Sequence, residues 1–278
     1  MSEKNKINWF PGHMKKATDQ IQDSLKNVDI VIEVVDSRCI NSSSNYELLK
    51  EIKNKNKKYL KIALKADLAD IDINQFKNDN NLLIGSILNK SFRNIIINKM
   101  NEIMKEKIDK LKAKGLVNPR FLVMVVGLPN VGKSSLINFL KQSNVLVSQN
   151  YPGVTKNQRI VSINKNYDII DTPGIFIKNI DEQTIAYKLG LINSIKKEVL
   201  PIYDVLKYGI DFVSQHYLTE FLKYYKLDEF INFDEFLNHL KASNLYLLKN
   251  NEIDEQKIYD QLYTDLTKCK ICKINYDI

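Results

Sequence analysis

Gly127-Leu128-Pro129-Asn130-Val131-Gly132-Lys133-Ser134 combines two glycines, a lysine and a hydroxyl at a spacing suited to gripping a polyphosphate. The glycines let the backbone curl until successive N–H groups converge on an anion, the lysine adds a mobile positive charge, and the serine offers a hard oxygen to a divalent cation. On that chemistry Asn130, Val131, Gly132, Lys133, Ser134 and Ser135 are expected to touch a nucleotide. Lys133 reaches the β- and γ-phosphates and Ser134 ligates Mg²⁺. An ordinary glycine-containing turn is the competing reading, and Gly-Lys-Ser between a strand pattern and a helix pattern disfavours it.

Three further groups suit the same ligand. Asp171, opening Asp171-Thr172-Pro173-Gly174 at a strand end, can orient Mg²⁺ through water, and the Gly174 N–H can approach a γ-phosphate. In Tyr151-Pro152-Gly153-Val154-Thr155, the Thr155 hydroxyl is a candidate to close on Mg²⁺ when a γ-phosphate is present, although without the neighbouring motifs a plain Pro-Gly turn is the favoured reading. Upstream, Leu64-Lys65-Ala66-Asp67 bears on the base. A carboxylate at Asp67 can accept from both N1 and N2 of guanine, a pattern adenine does not offer, and the Lys65 stem can lie along base and sugar. Ser86 stands where a loop could present an N–H to the guanine O6.

The elements that must hold these groups are legible in the hydropathy pattern. Strands are expected at 29–36, 59–64, 82–86, 121–126, 158–163 and 168–171, alternating mostly with helices at 15–26, 46–53, 92–112 and 135–140. That pattern is α/β, a sheet covered by helices. Residues 110–119 read as an exposed connector. Beyond about residue 190 the apolar residues recur at helical spacing, as in Phe233, Phe236, Leu237 and Leu240, so a GTP-binding α/β domain over 1–189 and an all-helical domain over 190–278 are expected. Tyr217, Tyr224, Tyr225, Tyr259 and Tyr263 in that region could stack on RNA bases, but aromatic residues at helical spacing more often form core.

The base-reading segment precedes the phosphate loop, and in that order the chain resembles the circularly permuted P-loop GTPases. With Trp9-Phe10-Pro11-Gly12-His13-Met14 and Ala66-Asp67-Leu68-Ala69-Asp70 it is most similar to the ribosome biogenesis GTPase A family, the YlqF/RbgA type, over nearly its whole length. The resemblance implies GTP and GDP as ligands, hydrolysis of GTP, and a role late in assembly of the large ribosomal subunit with its rRNA and proteins as partners. It also assigns His13 to orient the attacking water, because Ile175 stands where Ras-like enzymes carry glutamine; local sequence alone reads His13 as a turn residue. Asn130 is expected on the same grounds to help hold K⁺. One position departs from the family pattern. Leu64 replaces an asparagine that braces the phosphate loop, a loss of about 1–3 kcal/mol if its partners stay unsatisfied.

Composition bounds the rest. The net charge of +8 is uneven: residues 190–278 hold 11 basic against 14 acidic side chains, which leaves +11 on residues 1–189. An RNA-facing surface is therefore expected on the first half, where Lys50, Lys53, Lys55, Lys57 and Lys58 cluster, though 37 of the 41 basic residues are lysines and many can simply solvate the surface. Cys39, Cys269 and Cys272 form no disulfide framework; Cys269-Lys270-Ile271-Cys272 has the spacing of half a zinc site, but with no histidine nearby free thiols in a terminal tail are the favoured reading. The start carries no signal or transit pattern and no run is long enough to span a membrane, so a cytoplasmic location is expected; a monomer is the expected state. Two readings of other classes stay open: an RNA-binding scaffold gated by nucleotide with little turnover, and an ATP-dependent phosphotransferase, which Asp67 disfavours.

Overall fold

The computed structural model describes residues 21–141, 160–172, 183–242 and 253–278, with Asp171 described by its backbone alone. They fall into two compact units. Of the described residues, the first takes in 21–36, 43–65, 72–141 and 160–172; the second takes in Ser37–Ser42, Ala66–Ile71, 183–242 and 253–278.

The first unit is built on a six-stranded sheet of order β3-β2-β1-β4-β6-β5. Its strands are β1 (Ile30–Asp36), β2 (Lys58–Leu64), β3 (Leu82–Ile84), β4 (Phe121–Val126), β5 (Ile160–Ser162) and β6 (Tyr167–Asp171). All neighbours run parallel except β5, which pairs antiparallel with β6. Its helices include α1 (Tyr46–Asn54), α2 (Phe92–Ala113) and α3 (Lys133–Leu140). β1 and β4 are buried throughout, as strands covered on both faces must be. Alternation sorts β4: Leu122, Met124 and Val126 join Ile21, Leu25, Leu48 and Ile52 in one core cluster. Phe92, Ile96, Met100 and Met104 form the buried stripe of α2.

The fourth strand in sequence therefore lies in the middle of the sheet. From β1 the chain moves outward to β2 and β3, and from β4 it moves the other way to β6, so the order reverses between β1 and β4. In open α/β sheets that reversal opens a crevice at the carboxyl ends of the strands, where ligands bind. Some details differ from the sequence expectation. α2 continues to Ala113, so the exposed connector begins at Lys114 and not at Lys110; and α4 (Gln183–Leu191) groups with the helical unit although most of it precedes residue 190.

The second unit contains α4 with α5 (Ile202–His216), α6 (Leu218–Tyr225), α7 (Phe233–Ala242) and α8 (Glu255–Thr267). Gly209 lets α5 approach its neighbours, since a Cβ there would meet Leu266 Cδ1 at 2.7 Å and Leu191 Cδ1 at 3.1 Å. Two of the tyrosines serve this packing: Tyr263 is buried with its hydroxyl on the Gly190 carbonyl at 2.9 Å, and Tyr225 meets Phe221 at a tilt and Phe236 edge to face. The chain's end is no loose tail. Tyr276 is wholly buried, and its N–H donates to the Arg38 carbonyl at 2.7 Å.

Candidate functional site

β4 runs out at Val126 and the chain enters the phosphate loop through Gly127, whose φ is +144°. A Cβ there would stand 2.2 Å from the Val34 carbonyl oxygen of β1, so only glycine permits this passage. Asn130 at φ 59° and Gly132 at φ 108° are also left-handed, and such alternation turns backbone N–H groups toward one concavity. Gly132 then caps α3, bringing the positive end of that helix to the same place. The Lys133 side chain is buried, with Nζ donating to the Leu128 carbonyl at 2.7 Å, so it arches back over the loop it belongs to. Val131 is buried beneath the loop, whereas Asn130, Ser134 and Ser135 are exposed.

Neighbouring strand ends brace the loop. Asp36, at the end of β1, is fully buried; Lys65 Nζ donates to its Oδ2 at 2.9 Å and to the Asn130 carbonyl at 2.8 Å. Lys65 thus ties the ends of β1 and β2 to the phosphate loop while its own φ of 63° holds it in the left-handed region. Leu64 lies under Gly132: a Cβ on that glycine would meet Leu64 Cδ1 at 3.0 Å. The apolar residue therefore supports the loop by packing instead of hydrogen bonding. On the far side, the Thr172 hydroxyl donates to the Val125 carbonyl at 2.5 Å, and Asp171 is in register with Val125.

Sequence reasoning missed Asp36 and Thr172 as parts of this frame. A carboxylate at the end of an apolar strand pattern was the available signal for Asp36. Thr172 sat unnoticed between Asp171 and Pro173.

Ser86 follows β3, at the far flank of the sheet, roughly 14 Å from β4 by three strand spacings of about 4.8 Å. Its hydroxyl accepts the Leu88 N–H at 3.2 Å, closing its own turn. Asp67 is exposed and falls in the segment Ala66–Ile71 of the second unit, two residues along the chain from Lys65. His13, Thr155 and Gly174 lie outside the described residues, as do the motifs at 9–14 and 151–155. Within the first unit, then, the carboxyl edge of the sheet brings together Lys65, Asp36, residues 127–135, Asp171 and Thr172, with Ser86 further along the same edge.

Oxygen donors at Ser134 and at the end of β6 suit Mg²⁺, a hard cation that takes few protein ligands and fills its shell with phosphate and water. The left-handed turns of the loop and the amino end of α3 make its concavity suited to phosphate groups.

Residues 122–255 match the family model described as MMR_HSR1, 50S ribosome-binding GTPase. A protein of Mycoplasma pneumoniae described as "Probable ribosome biogenesis GTPase A" is 39% identical over 98% of this chain and 97% of its own. The chain belongs to the ribosome biogenesis GTPase A family. A member from Bacillus licheniformis, "Ribosome biogenesis GTPase A", is 34% identical over 98% of both chains. The fold of the family is seen in the "Crystal structure of GNP-bound YlqF from T. maritima", with a TM-score of 0.64 at 22% identity over 94% of this chain and 97% of that one. The circularly permuted GTPase fold expected from motif order is thus the fold observed.

Proposed function

We propose that this chain binds and hydrolyses GTP as a factor for late assembly of the large ribosomal subunit. The observation that supports this best is the braced phosphate loop at the point where the strand order reverses, in a chain so similar over its full length to ribosome biogenesis GTPase A proteins. In this reading the amides of Asn130, Val131 and Gly132 hold the β-phosphate, Lys133 turns from its loop carbonyl to the γ-phosphate, and Ser134 and Ser135 complete the grip. Lys65 lies along the sugar and base, Asp67 selects guanine, and Ser86 offers its N–H to O6. Ser134, Thr155 and Asp171 would hold Mg²⁺ directly or through water, and the ion neutralises charge that builds on the phosphate oxygens during transfer. Asn130 would help hold K⁺, and the Gly174 N–H would meet the γ-phosphate. His13 orients the attacking water, with its neutral imidazole accepting the proton.

The working partner in this proposal is the large-subunit precursor, met by a cytoplasmic monomer. Among the described residues no helix is long and apolar enough to cross a membrane. Two grooves in the first unit, of about 620 and 420 Å³, open at the amino-terminal ends of the strands, opposite the phosphate loop. Lys57 and Lys58 line both; Lys53, Lys61 and Lys99 add to one, Lys26, Lys55 and Lys107 to the other, against Asp79, Glu102 and Asp29. Some of these lysines are engaged within the protein, as Lys57 is with the Val28 and Lys26 carbonyls, while Lys53 and Lys58 are exposed. The excess of positive charge suits an RNA backbone. We assign nucleotide chemistry to residues 1–189, followed by the helical residues 190–278.

A scaffold with little turnover is the second reading, favoured by Leu64 in place of a hydrogen-bonding residue under the loop. GTP turnover measured with and without large-subunit precursor separates them. The assembly GTPase accelerates on the particle and loses that acceleration in His13→Ala with GTP affinity intact; a scaffold binds the particle in a GTP-dependent way and shows no turnover above buffer.

A further inference from the structure

The segment Ala66–Ile71, which carries Asp67, is anchored within its unit by the end of the chain and by one tyrosine. The Ile274 N–H donates to the Leu68 carbonyl at 3.2 Å, and the Asp70 N–H returns to the Ile274 carbonyl at 3.3 Å. This reciprocal pair resembles one rung of a two-stranded ladder. Next along, the Asn275 N–H donates to the Tyr217 hydroxyl at 3.0 Å. Tyr217 is the residue at which α5 ends and α6 begins. Burial pushes its phenol up to about 12, and the Asp70 carboxylate, charged and hydrogen-bonded to the hydroxyl, adds to the shift. One oxygen thus joins the helix corner, the chain terminus and the segment of Asp67.

The terminus is itself tied down further on. Asp277 accepts the N–H groups of Asn41 and Ser42 at 2.7 and 3.2 Å, the Ser42 hydroxyl at 2.5 Å and Lys188 Nζ at 3.3 Å. Ile274 and Tyr276 are buried while Asp67 is exposed, so a rigid support carries an accessible carboxylate. Arg38 secures the same region, with Nη1 on the Thr267 carbonyl at the end of α8 at 2.6 Å and Nη2 on the Ile192 carbonyl at 3.4 Å.

We propose that Tyr217 and the terminal residues Ile274–Asp277 are positioning residues for Asp67, so that the helical unit sets how sharply guanine is recognised. The inference rests on the assignment of Asp67 made above. A carboxylate that accepts two parallel bonds from one base edge tolerates little displacement, because the second bond is lost first. Helical packing thereby acts on nucleotide choice through residues that never touch the nucleotide.

Inosine triphosphate, which lacks the N2 amino group, reports that second bond. The dissociation constants of GTP and ITP are measured for the full chain and for Tyr217→Phe, Asp277→Ala and Asp67→Asn. The expectation is that Tyr217→Phe and Asp277→Ala each reduce the ITP-to-GTP ratio about fivefold, the loss of one hydrogen bond of about 1 kcal/mol, with ITP affinity nearly unchanged. A purely structural role would weaken both nucleotides together and leave the ratio at its wild-type value, and that result overturns the proposal. If wild type shows no preference for GTP over ITP, or Asp67→Asn leaves the preference intact, the assignment of Asp67 fails and the proposal fails with it.

Discussion

Lys65→Met isolates the ammonium that ties two strand ends to the phosphate loop. Methionine keeps a stem of similar reach and shares the left-handed backbone burden at φ 63°, so the difference from wild type reports the charge and its two hydrogen bonds. Removing one partner of a fully buried pair costs about 3–5 kcal/mol. Here Asp36 has no exposed surface but the Lys65 side chain is 28% exposed, and water screens the pair; about 1–3 kcal/mol is the figure expected. With a urea slope of about 2 kcal/mol/M, the unfolding midpoint should fall by roughly 0.5–1.5 M. GTP affinity should fall about tenfold as well, because the Asn130 carbonyl loses its 2.8 Å partner and the loop must be ordered by the nucleotide instead. Urea titrations followed by circular dichroism and GTP titrations by calorimetry give the two readouts. A midpoint within about 0.2 M of wild type together with unchanged GTP affinity refutes the bracing role.

Gly127→Ala should abolish detectable GTP binding and destabilise the fold by about 1–3 kcal/mol, since its Cβ would stand 2.2 Å from the Val34 carbonyl oxygen. Gly115→Ala, with nothing within 4 Å of the added carbon, should cost only the left-handed strain of about 1–2 kcal/mol and leave binding untouched. Stability should decline on the alkaline side. Burial raises the Cys272 thiol to about 12, with Glu220, Cys269 and Asp70 adding to it, and burial raises the phenols of Tyr208 and Tyr263 to about 12 too. The folded chain therefore keeps these groups neutral, a contribution complete below the unfolded values of about 8.5 and 10 and lost as pH climbs toward 12. Unfolding midpoints should drop between about pH 9 and 11; a flat profile contradicts this. Lys53→Glu with Lys58→Glu should weaken binding to rRNA fragments and flatten the plot of log affinity against log salt by about 0.7–0.9 for each phosphate no longer neutralised. An unchanged slope removes the grooves from the RNA surface.

Much of the first unit was legible because its signals are local. The run of residues 121–126 followed by Gly127, Gly132 and Lys133 dictates strand, loop and helix from its own chemistry, and β4 and α3 appear there. Motif order supplied the permutation, since a strand sequence that carries base recognition first still has to place the phosphate loop at the centre of the sheet. What was not legible depends on interactions between distant segments. Nothing near Asp36 announces that Lys65 will neutralise it, and nothing in Cys269–Ile278 announces that Asp277 will hold residues 41 and 42. Leu64 was read as a lost hydrogen bond because its apolar partner, Gly132, lies 68 positions away in a different motif. The boundary near residue 190 was blurred for a similar reason, since helical spacing in α4 cannot say which core it joins.

The most direct test of the central reading is a paired titration of wild type and Asp67→Asn with GTP and xanthosine triphosphate. Xanthine carries an acceptor oxygen where guanine carries the N2 donor, so an amide at position 67 should complement it where the carboxylate cannot. Wild type should prefer GTP, Asp67→Asn should prefer the xanthine nucleotide, and Lys133→Ala should bind neither. A variant at position 67 that still prefers GTP to the wild-type extent would contradict that reading.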